Sequence, residues 1–180
     1  MKIEFWMDYL CPLSFQTHKN IENIIKHNQF PDLEILYRSY EMIPNLKDNQ
    51  DFPTLYDVFI KHHLLTEDET QGILNHFEDL VRNLRPVPVM DAHRLSHLAK
   101  KSGLAFEFNQ AIFKAFFVDK FDISDHQVLM DVAKEAGLHT FDVRNVLGSD
   151  QFLEAVHLNR ENALVKGIHQ IPHMRVDGRI

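Results

Sequence analysis

The one thiol in the chain is Cys11, the single cysteine among 180 residues. It stands in the segment Asp8-Tyr9-Leu10-Cys11-Pro12-Leu13-Ser14-Phe15, after a strand-like run and before a helical pattern. Proline suits the first helical turn, where an N–H has no intrahelical partner anyway, so Pro12 predicts a helix that starts there with Cys11 as its N-cap. At such a position the free backbone N–H groups and the positive end of the helix dipole favour a thiolate, and the expected thiol pKa lies below the ordinary one. The chemistry on offer is thiol exchange. The competing reading is a small buried hydrophobe, the commoner fate of an isolated cysteine. These residues alone leave both open. Asp8, three positions before the sulfur, is either structural or a buried carboxylate able to relay a proton.

Histidine is the other abundant reactive type, with 12 in the chain. His93 and His97 have the spacing of a helical metal pair, but Glu does not follow His93 as in His-Glu-x-x-His, and no third ligand is evident. His62 and His63 face different directions on a helix. No metal site is expected. His169 and His173 flank Pro172 and could line the rim of a site at Cys11, where an imidazolium would lower a thiol pKa.

These groups need elements to hold them. Lys2 to Met7 alternates charged and apolar residues and reads as a half-buried strand. Phe15, Ile21, Ile24 and Ile25 approximate the face of a helix that Asn28 and Pro31 close, and Leu33 to Tyr37 reads as a second strand. From about Thr54 to Leu147 the periodicity is helical, with breaks at Leu65-Thr66, Arg85 to Pro88, Lys101 to Gly103 and Asp122 to Asp125. Thr66 with Glu69 forms a capping box and Asp125 caps the helix after it. Phe106 to Phe117 predicts a buried helix packed by aromatics. A further helix spans Asp150 to Lys166 with Phe152, Val156, Leu164 and Val165 as its apolar positions, stopped by Gly167. An extended run follows through Val176, and Asp177-Gly178 is a hairpin-turn signal.

Composition excludes several classes. With 44% hydrophobic and 25% charged residues the chain is an ordinary globular protein. A net charge of −7, with 19 scattered Lys and Arg, gives nothing to attract a nucleic-acid backbone. The N-terminus lacks the three regions of a signal peptide, and no segment approaches the ~20 apolar residues of a membrane span. One cysteine permits no intrachain disulfide, so a reducing cytoplasm is the expected location.

Five segments in order resemble the DsbA family of thioredoxin-fold oxidoreductases, in its FrnE-like branch. They are Asp8 to Pro12, Glu41-Met42-Ile43-Pro44-Asn45-Leu46, Asp91-Ala92-His93-Arg94-Leu95, Ala115 to Asp119 with Asp122 to Asp125, and Gly167-Ile168-His169-Gln170-Ile171-Pro172. The resemblance implies an α/β protein with a thioredoxin-like fold of DsbA type, interrupted by an inserted all-helical domain. Residues 1–53 and 148–180 would form the thioredoxin-like domain and 54–147 the insertion. Cys11 and Ser14 would hold the catalytic positions. Pro12, Leu13, Ile171 and Pro172 would bind substrate, with Pro172 cis and facing Cys11, and with Asp8, His169 and His173 tuning the thiol. The implied substrate is a thiol or disulfide, of a protein or a small molecule. No cofactor is implied, although glutathione could serve as co-substrate. Neither nucleic acid nor membrane is an implied partner, and a homodimer is compatible.

The sequence departs from that family in two places. Ser14 stands where relatives have a second, resolving cysteine, and a hydroxyl cannot resolve a mixed disulfide as a thiolate does. The function expected is therefore monothiol exchange through Cys11, by an oxidoreductase or isomerase. The alternatives are a glutathione-dependent enzyme resembling 2-hydroxychromene-2-carboxylate isomerase or the kappa-class glutathione transferases, and a non-catalytic thioredoxin-fold binding module. The chain also ends at Ile180, before the last strand and helix that the fold normally supplies, so that either it is cut short or a partner completes the sheet.

Overall fold

A computed structural model of the chain describes residues 1–27, 30, 32–44, 46, 54–58, 68, 71, 75, 77 and 82–179. The expectations placed on Asn28, Pro31, His62, His63, Leu65 and the Thr66–Glu69 capping box lie outside the described residues.

Strand β1 (Lys2–Met7) is the centre of a three-stranded sheet. Strand β2 (Glu34–Ser39) pairs with it in parallel, with Phe5 opposite Tyr37, and β3 (His173–Val176) pairs antiparallel on its other side, with Trp6 opposite His173. Both faces of β1 are covered, since Phe5, Trp6 and Met7 are all buried although neighbouring side chains point to opposite faces. Parallel β1 and β2 require a crossover, and helix α1 (Pro12–Lys26) lies within it. Proline does open α1, with Cys11 as N-cap.

The described helices of the expected insertion are α2 (Met90–Lys101), α3 (Ala105–Phe117), α4 (His126–Glu135) and α5 (Thr140–Leu147). Asp125 caps α4 by accepting the N–H groups of Gln127 and Val128. Gly137, at φ +95°, begins the break between α4 and α5, which apolar periodicity did not signal. In α3, Phe108, Phe113, Phe116 and Phe117 are all buried, and α3 packs on α1, α2, α4 and β2.

Helix α6 (Leu153–Val165) packs on α2 and β2. Val165, expected on its inner face, is 87% exposed, and Ala163 is buried there instead. Gly167, at φ +75°, ends this turn by donating its N–H to the Leu164 carbonyl, a left-handed stop that a side chain would strain. The chain then passes through Ile171–Pro172, a cis peptide, into β3. Asp177 and Gly178 both have positive φ, as a two-residue hairpin turn requires, and Val176 and Arg179 close it with reciprocal backbone hydrogen bonds. Among the described residues no helix is long and apolar enough to cross a membrane.

Candidate active site

The local sequence places the Cys11 sulfur at the first turn of α1, where it accepts the Ser14 N–H at 3.4 Å. The thiol is in turn 4.0 Å from the Ile171 carbonyl oxygen, a long and weak hydrogen bond. Strand β3 is the reason for this approach. A proline in mid-strand would cost a ladder bond, so Pro172 sits just before the strand, and the pairing of His173 with Trp6 draws Ile171 over the start of α1. Sequence positions 160 apart thus meet at one sulfur. The Ile171 N–H has no partner among the described residues.

The electrostatics differ from the sequence expectation. Cys11 is wholly buried, and burial pushes its thiol up to about 11 from an ordinary 9.0, against the lowering influence of the Ser14 hydroxyl and the Ser14 N–H. The charge on Asp8 adds to the rise. The helix-end position is real, but a desolvated thiolate costs more than a few N–H dipoles return. The Ser14 hydroxyl, also wholly buried, lies close enough to the sulfur to favour its thiolate and has no other partner among the described residues.

Behind Cys11 lies a polar cluster that sequence reasoning did not assemble. Asp8 is fully buried; its Oδ2 accepts the Met42 N–H at 2.7 Å, and its Oδ1 lies 3.2 Å from His93 Nε2. His93 comes from α2, stacks on Tyr9 at 4.6 Å between ring centroids, and leaves Nδ1 buried without a partner among the described residues. The Tyr9 hydroxyl donates to Asn109 Oδ1 at 2.7 Å, and Asn109 Nδ2 donates to the Ala105 carbonyl. Glu41 is buried beside this group, and burial holds its carboxyl above the usual range, with the Asp8 charge acting the same way. Its backbone carbonyl accepts from Arg160 Nε.

His97, one turn beyond His93, faces Ser39 and Asn159 instead, so the two do not converge. Burial lowers the His97 pKa to about 4. Arg94, between them, donates to the Val146, Ser149 and Gln151 carbonyls and so ties α2 to the end of α5. The signal for His93 was its place on the apolar stripe of α2 with Ala92, Leu95 and Ala99, where an imidazole has to find a buried partner.

The remaining sequence candidates surround the sulfur unequally. Pro12 is buried, and Leu13 and Pro172 are half-buried. His173 packs edge-on against Trp6 at 5.6 Å, with its pKa lowered by burial, and His169 is exposed. Neither histidine is among the groups that shift Cys11.

A family model described as the DSBA-like thioredoxin domain matches residues 2–180. The uncharacterized protein YwbO of Bacillus subtilis (strain 168) is 28% identical over 137 residues, 76% of this chain and 66% of its own length. The chain therefore spans just under two thirds of that curated relative. Among solved structures, the probable DsbA oxidoreductase SCO1869 from Streptomyces coelicolor superposes with a TM-score of 0.76 at 23% identity, covering 97% of this chain and 79% of the other. The cytosolic disulfide reductase DsbM from Pseudomonas aeruginosa, solved with GSH, gives 0.68 at 13% identity, covering 99% and 87%. At these identities the structural likeness establishes the shared fold.

Proposed function

This chain belongs to the DSBA-like thioredoxin domain family, and on that premise we propose that it exchanges thiols and disulfides through Cys11 alone. The observation that carries the reading is the Cys11 sulfur capping α1 while facing the backbone of Ile171, with Ser14 in the place of a second thiol. The unpartnered Ile171 N–H and its carbonyl offer an extended disulfide substrate a strand-like pairing next to the sulfur.

In the exchange step the Cys11 thiolate attacks one sulfur of the substrate disulfide. A new S–S bond forms, the old one breaks, and the departing thiolate takes up a proton. The buried Asp8 charge opposes the Cys11 thiolate, so protonation of that carboxylate would favour the attack. His93 at 3.2 Å and the Met42 N–H hold that carboxylate in place. With no second thiol in the chain, an outside thiol must release the mixed disulfide, and glutathione is the co-substrate of that chemistry in a reducing compartment.

The complete enclosure of the sulfur favours a second reading, a thioredoxin-fold binding module in which Cys11 is packing. Whole-protein mass after incubation with oxidised glutathione separates the two. Exchange chemistry gives a single glutathionyl adduct on native protein, removed by added reduced glutathione. An adduct that forms only after denaturation leaves the binding module.

A further inference from the structure

The face of α1 that begins at Cys11 continues through Phe15, His18 and Glu22, at the spacing that keeps side chains on one side of a helix. Against that face, α3 and the end of α4 leave a cavity of about 430 Å³, whose charged lining is Lys19, Glu22, Glu107, Lys114 and Glu135, with Phe15, His18 and Val118 beside them. A second cavity of about 230 Å³ shares Ala111, Lys114 and Glu135 with it and extends to Phe121 and Asp131. The two form one groove. From Glu107 to Val118 it follows about 16 Å of chain at ~1.5 Å per helical residue, a length that about five residues of an extended peptide span at ~3.3 Å each.

The groove presents apolar surface together with an excess of acid, since Glu107, Glu135 and Asp131 outnumber Lys19, while Glu22 is paired with Lys26. Val118 and Phe121 are 55% and 53% exposed. Glu107 and Glu135 are exposed with no ion-pair partner among the described residues, whereas Lys114 is neutralised by Asp119 at 2.7 Å. His18 lines the same wall almost wholly buried, with the Tyr37 hydroxyl 3.1 Å from Nδ1 and with Nε2 unpartnered among the described residues. The Tyr37 hydroxyl has no other acceptor among the described residues, so it donates to Nδ1, which leaves the ring hydrogen on the buried Nε2.

We propose that this groove takes a cationic, partly apolar polypeptide segment of the disulfide substrate, with basic side chains at Glu107 and Glu135, apolar ones over Val118 and Phe121, and the chain directed along α1 toward Cys11. A polypeptide fits better than a small polyamine because the two cavities share a wall and each sets an exposed apolar group, Val118 or Phe121, beside an acid. The meaning of this occupant rests on the thiol-exchange reading. Its binding does not.

The test is fluorescence anisotropy of a labelled, cysteine-free heptapeptide alternating arginine and leucine, titrated with the full chain. Saturable binding is expected, weakened at least tenfold in Glu107→Lys or Glu135→Lys and unchanged in Cys11→Ser. Both glutamates are exposed and unpaired, and circular dichroism confirms that the variants fold. Equal binding of a peptide alternating glutamate and leucine, indifference to both charge reversals, or full displacement by equimolar spermine would each overturn the proposal. So would a dimer in sedimentation that Phe121→Lys dissociates, since a second copy would then occupy the groove. Charge-selective binding without any glutathionyl adduct removes the exchange reading and leaves the groove, while the adduct without charge-selective binding does the reverse.

Discussion

Raising the pH from 7 to 9 should accelerate alkylation of Cys11 by iodoacetamide about a hundredfold, with no plateau until the pH nears 11. Only the thiolate reacts, and a thiol at about 11 is ionised to about one part in ten thousand at pH 7, against about one in a hundred for an ordinary thiol at 9.0. Enclosure of the sulfur scales the whole rate by the frequency of opening and does not move the midpoint of the profile. Stability falls over the same window. The folded-state pKa is raised, so above pH 9 the unfolded chain releases the Cys11 proton first, and the native state loses about 3 kcal/mol by pH 11 at ~1.36 kcal/mol per pH unit. Alkylation is therefore followed by mass spectrometry with circular dichroism in parallel, and only points from folded protein count. A midpoint at or below 8.5 would refute the reasoning, because the helix-end donors would then outweigh desolvation.

Other substitutions bear on the same geometry. Ser14→Cys should form a disulfide with Cys11, since two thiols separated by two residues at a helix start meet the distance a disulfide needs, and should give an insulin-reducing activity at least tenfold above that of the natural chain. Asp8→Asn removes a charge that raises the thiol pKa, so the alkylation midpoint should fall and the rate at neutral pH should rise, and an unchanged midpoint would contradict it. His18 is held by burial at about 4, below its ordinary 6.5, so its contribution to stability is complete above pH 6.5 and is lost as the unfolded chain takes up the proton between 6.5 and 4. That loss amounts to about 3 kcal/mol. Urea midpoints should fall with pH across that window in the natural chain and less steeply in His18→Gln, and equal slopes would contradict it.

What the sequence made legible was local. Pro12 after a strand located the helix start and hence Cys11 at its cap, Pro172 located the start of β3, and Asp177-Gly178 located the turn. Each follows from backbone constraints within a few residues. The environment of the thiol was not legible, because the groups that enclose and charge it come from far along the chain. Ile171 lies 160 positions from Cys11, and His93 lies 85 positions from Asp8. Helix-end placement alone therefore gave the wrong direction for the Cys11 pKa. Val165 failed for a related reason: its burial depends on which neighbour its helix face meets, and periodicity identifies a face without identifying the neighbour.

The central claim, that Cys11 is a nucleophile for disulfides rather than a packed hydrophobe, is tested most directly by comparing two reagents on the native chain at pH 7. Rates with iodoacetamide and with oxidised glutathione are each divided by the corresponding rate of a small free thiol. Iodoacetamide has no use for the Ile171 backbone and should be suppressed by about a hundredfold from ionisation alone. Oxidised glutathione can pair with that backbone beside the sulfur, so its suppression should be at least tenfold smaller. Equal suppression of both reagents would contradict the account and leave Cys11 as part of the core.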